Sequence, residues 1–240
     1  MSAIKKAMVL AAGLGTRMRE HMDDRPKPLV PIAGKALIDY TLDALERYGI
    51  EEVLVNVHHM ADQIEAHLNA QSRPFTIRIS DERGERLETG GGVKAALTIL
   101  GTTPFFVINS DALWTDEPTC PLRDMAKSWS DDMDAMLMMV PRERAMGYSG
   151  RGDFHMAANA ALRRRGPDED APWLFGGVQI LRPELMDNTP DGPFSLNLVY
   201  DKALSNTRLM GCELTGRWFH VGDLDGVNAA ESWATTRLEK

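Results

Sequence analysis

Apolar residues along this chain recur with two periods, and the switching between them predicts strands alternating with helices. Ala7-Met8-Val9-Leu10-Ala11 is a short β-type run that breaks at Gly13. From Ala36 to Tyr48, the positions Ile38, Leu42, Leu45 and Tyr48 fall near helical spacing, and Gly49 supplies a C-cap. Residues 53–57 then read as a strand, and Met60, Ile64 and Leu68 share one face of a following helix. Phe75-Thr76-Ile77-Arg78-Ile79 alternates as a strand, and Val93, Leu97 and Leu100 sit on a helix that stops at Gly101. Residues 104–108 form a continuous apolar run, the mark of a strand buried on both faces. Further strands are predicted at 134–140, 174–181 and 208–214, with helices near 182–187, 195–204 and 223–237. Residues 142–172, where Arg, Gly and Asp dominate, carry no readable period. The pattern predicts an α/β fold of the Rossmann-like kind, with a mixed, mostly parallel central sheet and helices on both faces.

Composition sets bounds on this picture. With 240 residues and 43% hydrophobic content, the chain can bury one large core, so a single domain over 1–240 is expected. Its 27 basic and 35 acidic residues give a net charge of −8, which argues against a nucleic-acid partner or an anionic membrane surface. An anionic substrate would have to be met by local positive charge. Cys120 and Cys212 are isolated, the pattern of a reduced, cytoplasmic compartment. No stretch approaches the roughly 20 apolar residues of a membrane span.

Candidate chemistry begins where the first strand ends. Ala11-Ala12-Gly13-Leu14-Gly15-Thr16-Arg17 turns backbone N–H groups toward an anion at a place where glycine permits close approach, and Arg17 and Lys27 add fixed charge. A dinucleotide loop would need a third glycine where Met18 stands and a later acidic residue, and a Walker loop would need Gly-Lys-Ser/Thr. Neither pattern is present. Glu88-Thr89-Gly90-Gly91-Gly92 enters a helix, where exposed N–H groups favour an anion. Asn109 and Asp111 follow the buried strand 104–108, at the carboxyl edge where α/β sheets bind ligands. A third cluster, Trp218-Phe219-His220-Val221-Gly222-Asp223, places an imidazole and a carboxylate at another strand end. His220 reads either as a metal ligand, which would favour Mn²⁺, or as a hydrogen-bonded core residue. For Asp223 a helix N-cap is the commoner role.

Taken together, Leu10-Ala11-Ala12-Gly13-Leu14-Gly15-Thr16-Arg17-Met18 and Lys27-Pro28-Leu29-Val30-Pro31 resemble the signature of the sugar-1-phosphate nucleotidyltransferases, except at Glu20, where that family commonly has proline. The resemblance implies a GT-A-like fold whose nucleotide-binding part is about 1–115 and whose acceptor-sugar part is about 116–225, followed by a C-terminal helix at about 223–237. It implies that Arg17 and the glycine loop hold the β- and γ-phosphates, that Lys27 bridges the α-phosphate and the acceptor, and that the loop with Glu88, Thr89 and Gly90 packs on the nucleotide beside Asn109. Asp111 matches a metal-binding aspartate. His220 stands where the family usually has a second one, leaving His220, Asp223, or phosphates and water to complete a Mg²⁺ or Mn²⁺ site. Residues 87–92 and 150–154 look most like the bacterial N-acetylmuramate-1-phosphate uridylyltransferases of peptidoglycan recycling. That branch implies UTP and a sugar 1-phosphate as partners and Arg151, Asp153, Gly177 and Asp223 as acceptor contacts, in a monomer or small homo-oligomer. Alternatives are a mannose- or heptose-1-phosphate guanylyltransferase, more distantly a choline-phosphate cytidylyltransferase, and a catalytically silent nucleotide-binding regulatory domain. The Arg163-Arg164-Arg165 run reads as a solvated hairpin tip.

Overall fold

The three-dimensional structure, a computed structural model, describes residues 4–16 and 24–238. In chain order its elements are β1 Lys6–Leu10, β2 Pro31–Ile32, β3 Lys35–Ala36, α1 Leu37–Tyr48, β4 Glu52–Val57, α2 Ala61–Asn69, β5 Thr76–Asp81, α3 Glu88–Leu100, β6 Phe105–Asn109, β7 Ala112–Trp114, α4 Pro121–Ser128, β8 Ala135–Pro141, β9 Ala145–Met146, β10 Phe154–Met156, β11 Leu162–Arg164, β12 Trp173–Leu181, α5 Asn197–Ser205, β13 Leu209–Glu213, β14 Trp218–His220 and α6 Leu224–Leu238.

The central sheet runs β11-β10-β12-β6-β1-β4-β5, with β8 pairing β12 and β13 beside it. Strands β6, β1, β4 and β5 are parallel to one another, whereas β12 is antiparallel to both β6 and β8. Alternation along β1 sends Ala7 and Val9 to one face, where they pack with α1, α2 and α4, and Met8 to the other, where it packs with α3 and α5. Helices therefore cover both faces, as the α/β reading requires. A separate three-stranded sheet, β7-β14-β9, packs Leu113 and Phe219 against Ala230 of α6.

Most elements lie within a residue or two of their sequence-based positions. The helix anticipated near 182–187 is a short 3-10 turn at Pro183–Met186. The unread stretch 142–172 folds into β9, β10 and β11, elements of two or three residues that are too short to show a period. Its arginine run is engaged throughout: Arg163 pairs with Glu169, Arg164 with Asp201, and Arg165 donates to backbone carbonyls including that of Gly152. Strand β12 carries a register shift between Phe175 and Gln179. Gly177 at φ +82 forms the irregularity, and a Cβ there would lie 2.8 Å from Ala112 Cβ, so only glycine fits. Among the described residues, no helix is long and apolar enough to cross a membrane.

Candidate active site

Strands β1 and β6 are parallel neighbours, so their carboxyl ends open on the same edge of the sheet. A cleft of about 440 Å³ lies there, floored by Ala11, Ala12, Gly13, Gly15 and Thr16 from the loop after β1. Asn109 and Asp111 line it from the end of β6, and Glu88 and Thr89 from the start of α3. Lys27 enters on a 3-10 turn, Lys27–Leu29, bounded by Pro26 and buried Pro28. Proline on both sides restricts the backbone there, so the ammonium is delivered from a stiff support. Its Nζ donates to Asp111 Oδ2 at 2.6 Å, with the Lys27 side chain 13% exposed and that of Asp111 40%.

Beneath the cleft a buried hydrogen-bond chain joins three elements. Ala11 N–H donates to Asn56 Oδ1 at 2.7 Å, and Asn56 Nδ2 donates to Glu82 Oε1 at 2.8 Å. Glu82 Oε2 in turn accepts the Leu87 N–H at 3.0 Å, just ahead of α3. Asn56 and Glu82 are both 2% exposed, and a buried polar pair of this kind is stable only with its partners satisfied. Gly92 makes room for it, since a Cβ there would lie 2.7 Å from Glu82 Oε1. The hydrogen-bond chain thus fixes the loop after β1 relative to the start of α3.

The triple glycine serves packing more than anion binding. Helix α3 begins at Glu88, ahead of the glycines, and the N–H groups of Gly90 and Gly91 both donate to Phe194 O, at 2.8 and 3.2 Å. A Cβ on Gly90 would lie 2.4 Å from the Phe194 ring. Gly90, expected beside the nucleotide, docks the 192–196 segment and is not among the residues that line the cleft. Thr89 Oγ1 accepts the Leu196 N–H, and the same segment brings Ser195 to the cleft wall.

A second cavity of about 190 Å³ adjoins the first and shares Asn109, Asp111 and Gly222 with it. Its other walls include Tyr148, Asp153, Gly177, Trp218 and His220. Asp153 Oδ2 accepts the Phe175 N–H at 2.9 Å, and Trp218 Nε1 donates to Gly176 O at 3.0 Å, so both are held by the irregular part of β12. Asp111 thus stands at the junction of two ligand-sized spaces.

Several anticipated site residues lie elsewhere. Arg17 falls outside the described residues. Leu14 is exposed and lines neither cavity. Arg151, expected as an acceptor contact, pairs with Asp170 at 2.6 Å and lines neither cavity, and Arg142 pairs with the same carboxylate. The two guanidiniums hold the Asp170 carboxyl down at about 2. Asp223 Oδ1 accepts the Gly226 N–H at 3.0 Å and caps α6, the commoner of the two roles expected for it. Sequence reasoning also missed Asn56, Arg86 and Ser195 in the first cavity and Tyr148 in the second. Of these, only Asn56 leaves a clear mark in the sequence, as a lone amide inside the apolar run 53–57.

The donor set around Asp111 suits a divalent cation that takes few protein ligands. One carboxylate, already partnered by an ammonium, fits an oxygen-seeking ion whose remaining ligands come from phosphates and water. Among the described residues no three His, Cys, Asp or Glu side chains gather into a metal-binding group.

Comparison with known proteins bears on this geometry. A sequence-family profile described as a MobA-like NTP transferase domain matches residues 7–177. The chain is 44% identical over 234 residues to the N-acetylmuramate alpha-1-phosphate uridylyltransferase of Caulobacter vibrioides, spanning 96% of this chain and 97% of that protein. It is 34% identical to the Neisseria meningitidis serogroup B protein of the same name, spanning 95% and 98%. A crystal structure of UDP-glucose pyrophosphorylase complexed with UDP-glucose superposes with a TM-score of 0.81 over 98% of this chain and 99% of that one; at 17% identity this likeness speaks to the fold alone.

Proposed function

Since the chain belongs to the MobA-like NTP transferase domain family, we propose that it transfers UMP from UTP to N-acetyl-α-muramate 1-phosphate, releasing pyrophosphate and a UDP-sugar. The observation that carries this reading is the near end-to-end likeness to two N-acetylmuramate alpha-1-phosphate uridylyltransferases. The adjoining cavities support it. The larger suits the nucleoside triphosphate and the smaller the sugar phosphate, with Asp111 and Lys27 where the two phosphates would meet.

The chemistry needs no protein nucleophile. A phosphate monoester, with a second pKa of about 6, is already an anionic oxygen nucleophile at neutral pH. It attacks the α-phosphorus in line, and the bond to the bridging oxygen of pyrophosphate breaks. Two polyanions must be held against their mutual repulsion, so the protein's work is positioning and charge compensation. Lys27 compensates charge at the junction, and Arg86 extends the positive field along the triphosphate, the role the family resemblance gives to Arg17 as well. A divalent cation held by Asp111, Mg²⁺ in this reading, would neutralise phosphate oxygens when bound. Backbone N–H groups from residues 12–16 complete the cradle. Asp153 accepts hydrogen bonds from the acceptor sugar's hydroxyls. In this reading the reaction serves peptidoglycan recycling in the cytoplasm.

The test is pyrophosphate release with each of the four ribonucleoside triphosphates against N-acetylmuramate, N-acetylglucosamine, glucose and mannose 1-phosphates. Release led by UTP with N-acetylmuramate 1-phosphate is expected. Preference for GTP with mannose 1-phosphate would overturn the assignment.

A further inference from the structure

Close to the larger cleft, a carboxylate is buried with no cation to match it. Glu82 is 2% exposed and lines neither cavity, and its carboxylate pairs with no Lys, Arg or His side chain among the described residues. Its backbone is held at the end of β4: the Glu82 N–H donates to Val57 O at 2.8 Å, and Glu82 O accepts from His58 Nδ1 at 2.7 Å. A carboxylate in such a position is stable only where hydrogen-bond donors replace its lost hydration.

The pattern of those donors explains why the residue is an acid. The hydrogen-bond chain starts at the Ala11 N–H and finishes at the Leu87 N–H, and both ends are donors. Asn56 offers an acceptor to Ala11 and a donor to Glu82, so both Glu82 oxygens have to accept, Oε1 from Asn56 and Oε2 from Leu87. A pair of amides fails here whichever way either is turned, because one donor is always left facing another. The pattern also sets where the charge goes. Asn56 lines the cleft and Glu82 does not, so a neutral amide faces the space proposed for the triphosphate and the anion is set back from it.

We propose that Glu82 is a positioning residue for the nucleoside triphosphate. Its carboxylate holds the loop after β1 and the start of α3 in one register, through Asn56 on one side and the Leu87 N–H on the other. The cleft-lining residues of the two elements, Ala12 and Gly13 on one and Glu88 and Thr89 on the other, then meet the ligand together. The inference rests on the uridylyltransferase reading for the identity of that ligand, and adds to it a residue outside the cleft that sets its affinity.

The experiment compares the wild type with Glu82→Gln and with the exchanged pair Asn56→Asp/Glu82→Gln. Glu82→Gln keeps the shape and removes one acceptor. The exchanged pair restores the pattern in reverse: the new carboxylate at position 56 accepts from the Ala11 N–H and from the new amide at position 82, whose oxygen accepts the Leu87 N–H. UTP dissociation constants with Mg²⁺ are read by titration calorimetry, alongside steady-state kinetics and melting temperatures. Glu82→Gln is expected to weaken UTP binding by about tenfold and to raise KM for UTP to match. Its kcat and its KM for N-acetylmuramate 1-phosphate at saturating UTP should move by less than about threefold. The exchanged pair should regain the wild-type melting temperature and part of the lost UTP affinity, falling short because its charge now lines the cleft. A Glu82→Gln protein with a lowered melting temperature and unchanged UTP affinity would overturn the proposal, marking a carboxylate that serves the fold alone. So would an equal rise in KM for both substrates, or an exchanged pair that binds UTP no better than Glu82→Gln. Should Glu82→Gln not fold, the exchanged pair decides: folded and binding UTP it supports the proposal, unfolded it overturns it. A wild type that binds UTP without transferring UMP overturns the function and leaves the dissociation constants to decide this inference, whereas a wild type that binds no UTP overturns both.

Discussion

At the scale of single residues, the proposed function concentrates in the ion pair between Lys27 and Asp111. The lysine is mostly buried and its carboxylate partly open, so the pair is shielded from water on one side and accessible from both cavities. Removing a cation positioned at developing charge costs a few kcal/mol of transition-state stabilisation, so Lys27→Met is predicted to lower kcat by about 10²–10³-fold. Steady-state kinetics with both substrates saturating measures this. Arg86 lies further along the larger cleft, tethered loosely to Glu88 at 3.5 Å. Contact with the ground-state triphosphate alone would make Arg86→Ala raise KM for UTP by about tenfold with kcat little changed. A matching fall in kcat would instead assign Arg86 to the reacting phosphate.

At the scale of elements, the glycines divide into those that face ligand and those that let elements pack. A Cβ on Gly13 meets nothing within 4 Å, whereas one on Gly92 collides with the buried carboxylate of Glu82. Gly13→Ala is therefore expected to keep the wild-type melting temperature, and Gly92→Ala to lose about 1–3 kcal/mol as the Asn56–Glu82 chain is forced apart. Chemical denaturation of both variants checks the contrast. The same division explains how much the sequence discloses. The loop after β1, Lys27 and Asp111 are legible because each joins a strand end to a residue type that has few other uses there. The packing role of Gly90 is hidden because a glycine beside a helix start looks the same whether it faces an anion or the Phe194 ring. The partners of Arg151 and Asp223, the carboxylate of Asp170 and the Gly226 N–H, become apparent only once the chain is folded. Short strands β9 to β11, which build the wall holding Tyr148 and Asp153, stay hidden for lack of a period.

At the scale of the whole molecule, most basic residues are spent on acidic neighbours. Asp170, between Arg151 and Arg142, is one example outside the site. Its carboxyl, held at about 2, titrates lower in the folded chain than in the unfolded one, so the unfolded chain takes up the proton first as pH falls. Its stabilisation is complete above about pH 4 and disappears as pH drops through about 2. Being exposed, the cluster contributes modestly, and Asp170→Asn is predicted to flatten the acid limb of the stability curve while moving the pH 7 melting temperature by no more than about 2 °C. Thermal melts from pH 2 to 7 report this. In the proposed reading, the two adjoining cavities bring two phosphates together and leave the displacement to them. Turnover of N-acetylmuramate 1-phosphate with UTP carrying a chiral α-thiophosphate tests that claim directly: a single in-line attack by the acceptor inverts configuration at phosphorus, and retention would contradict it by requiring a covalent uridylyl-enzyme.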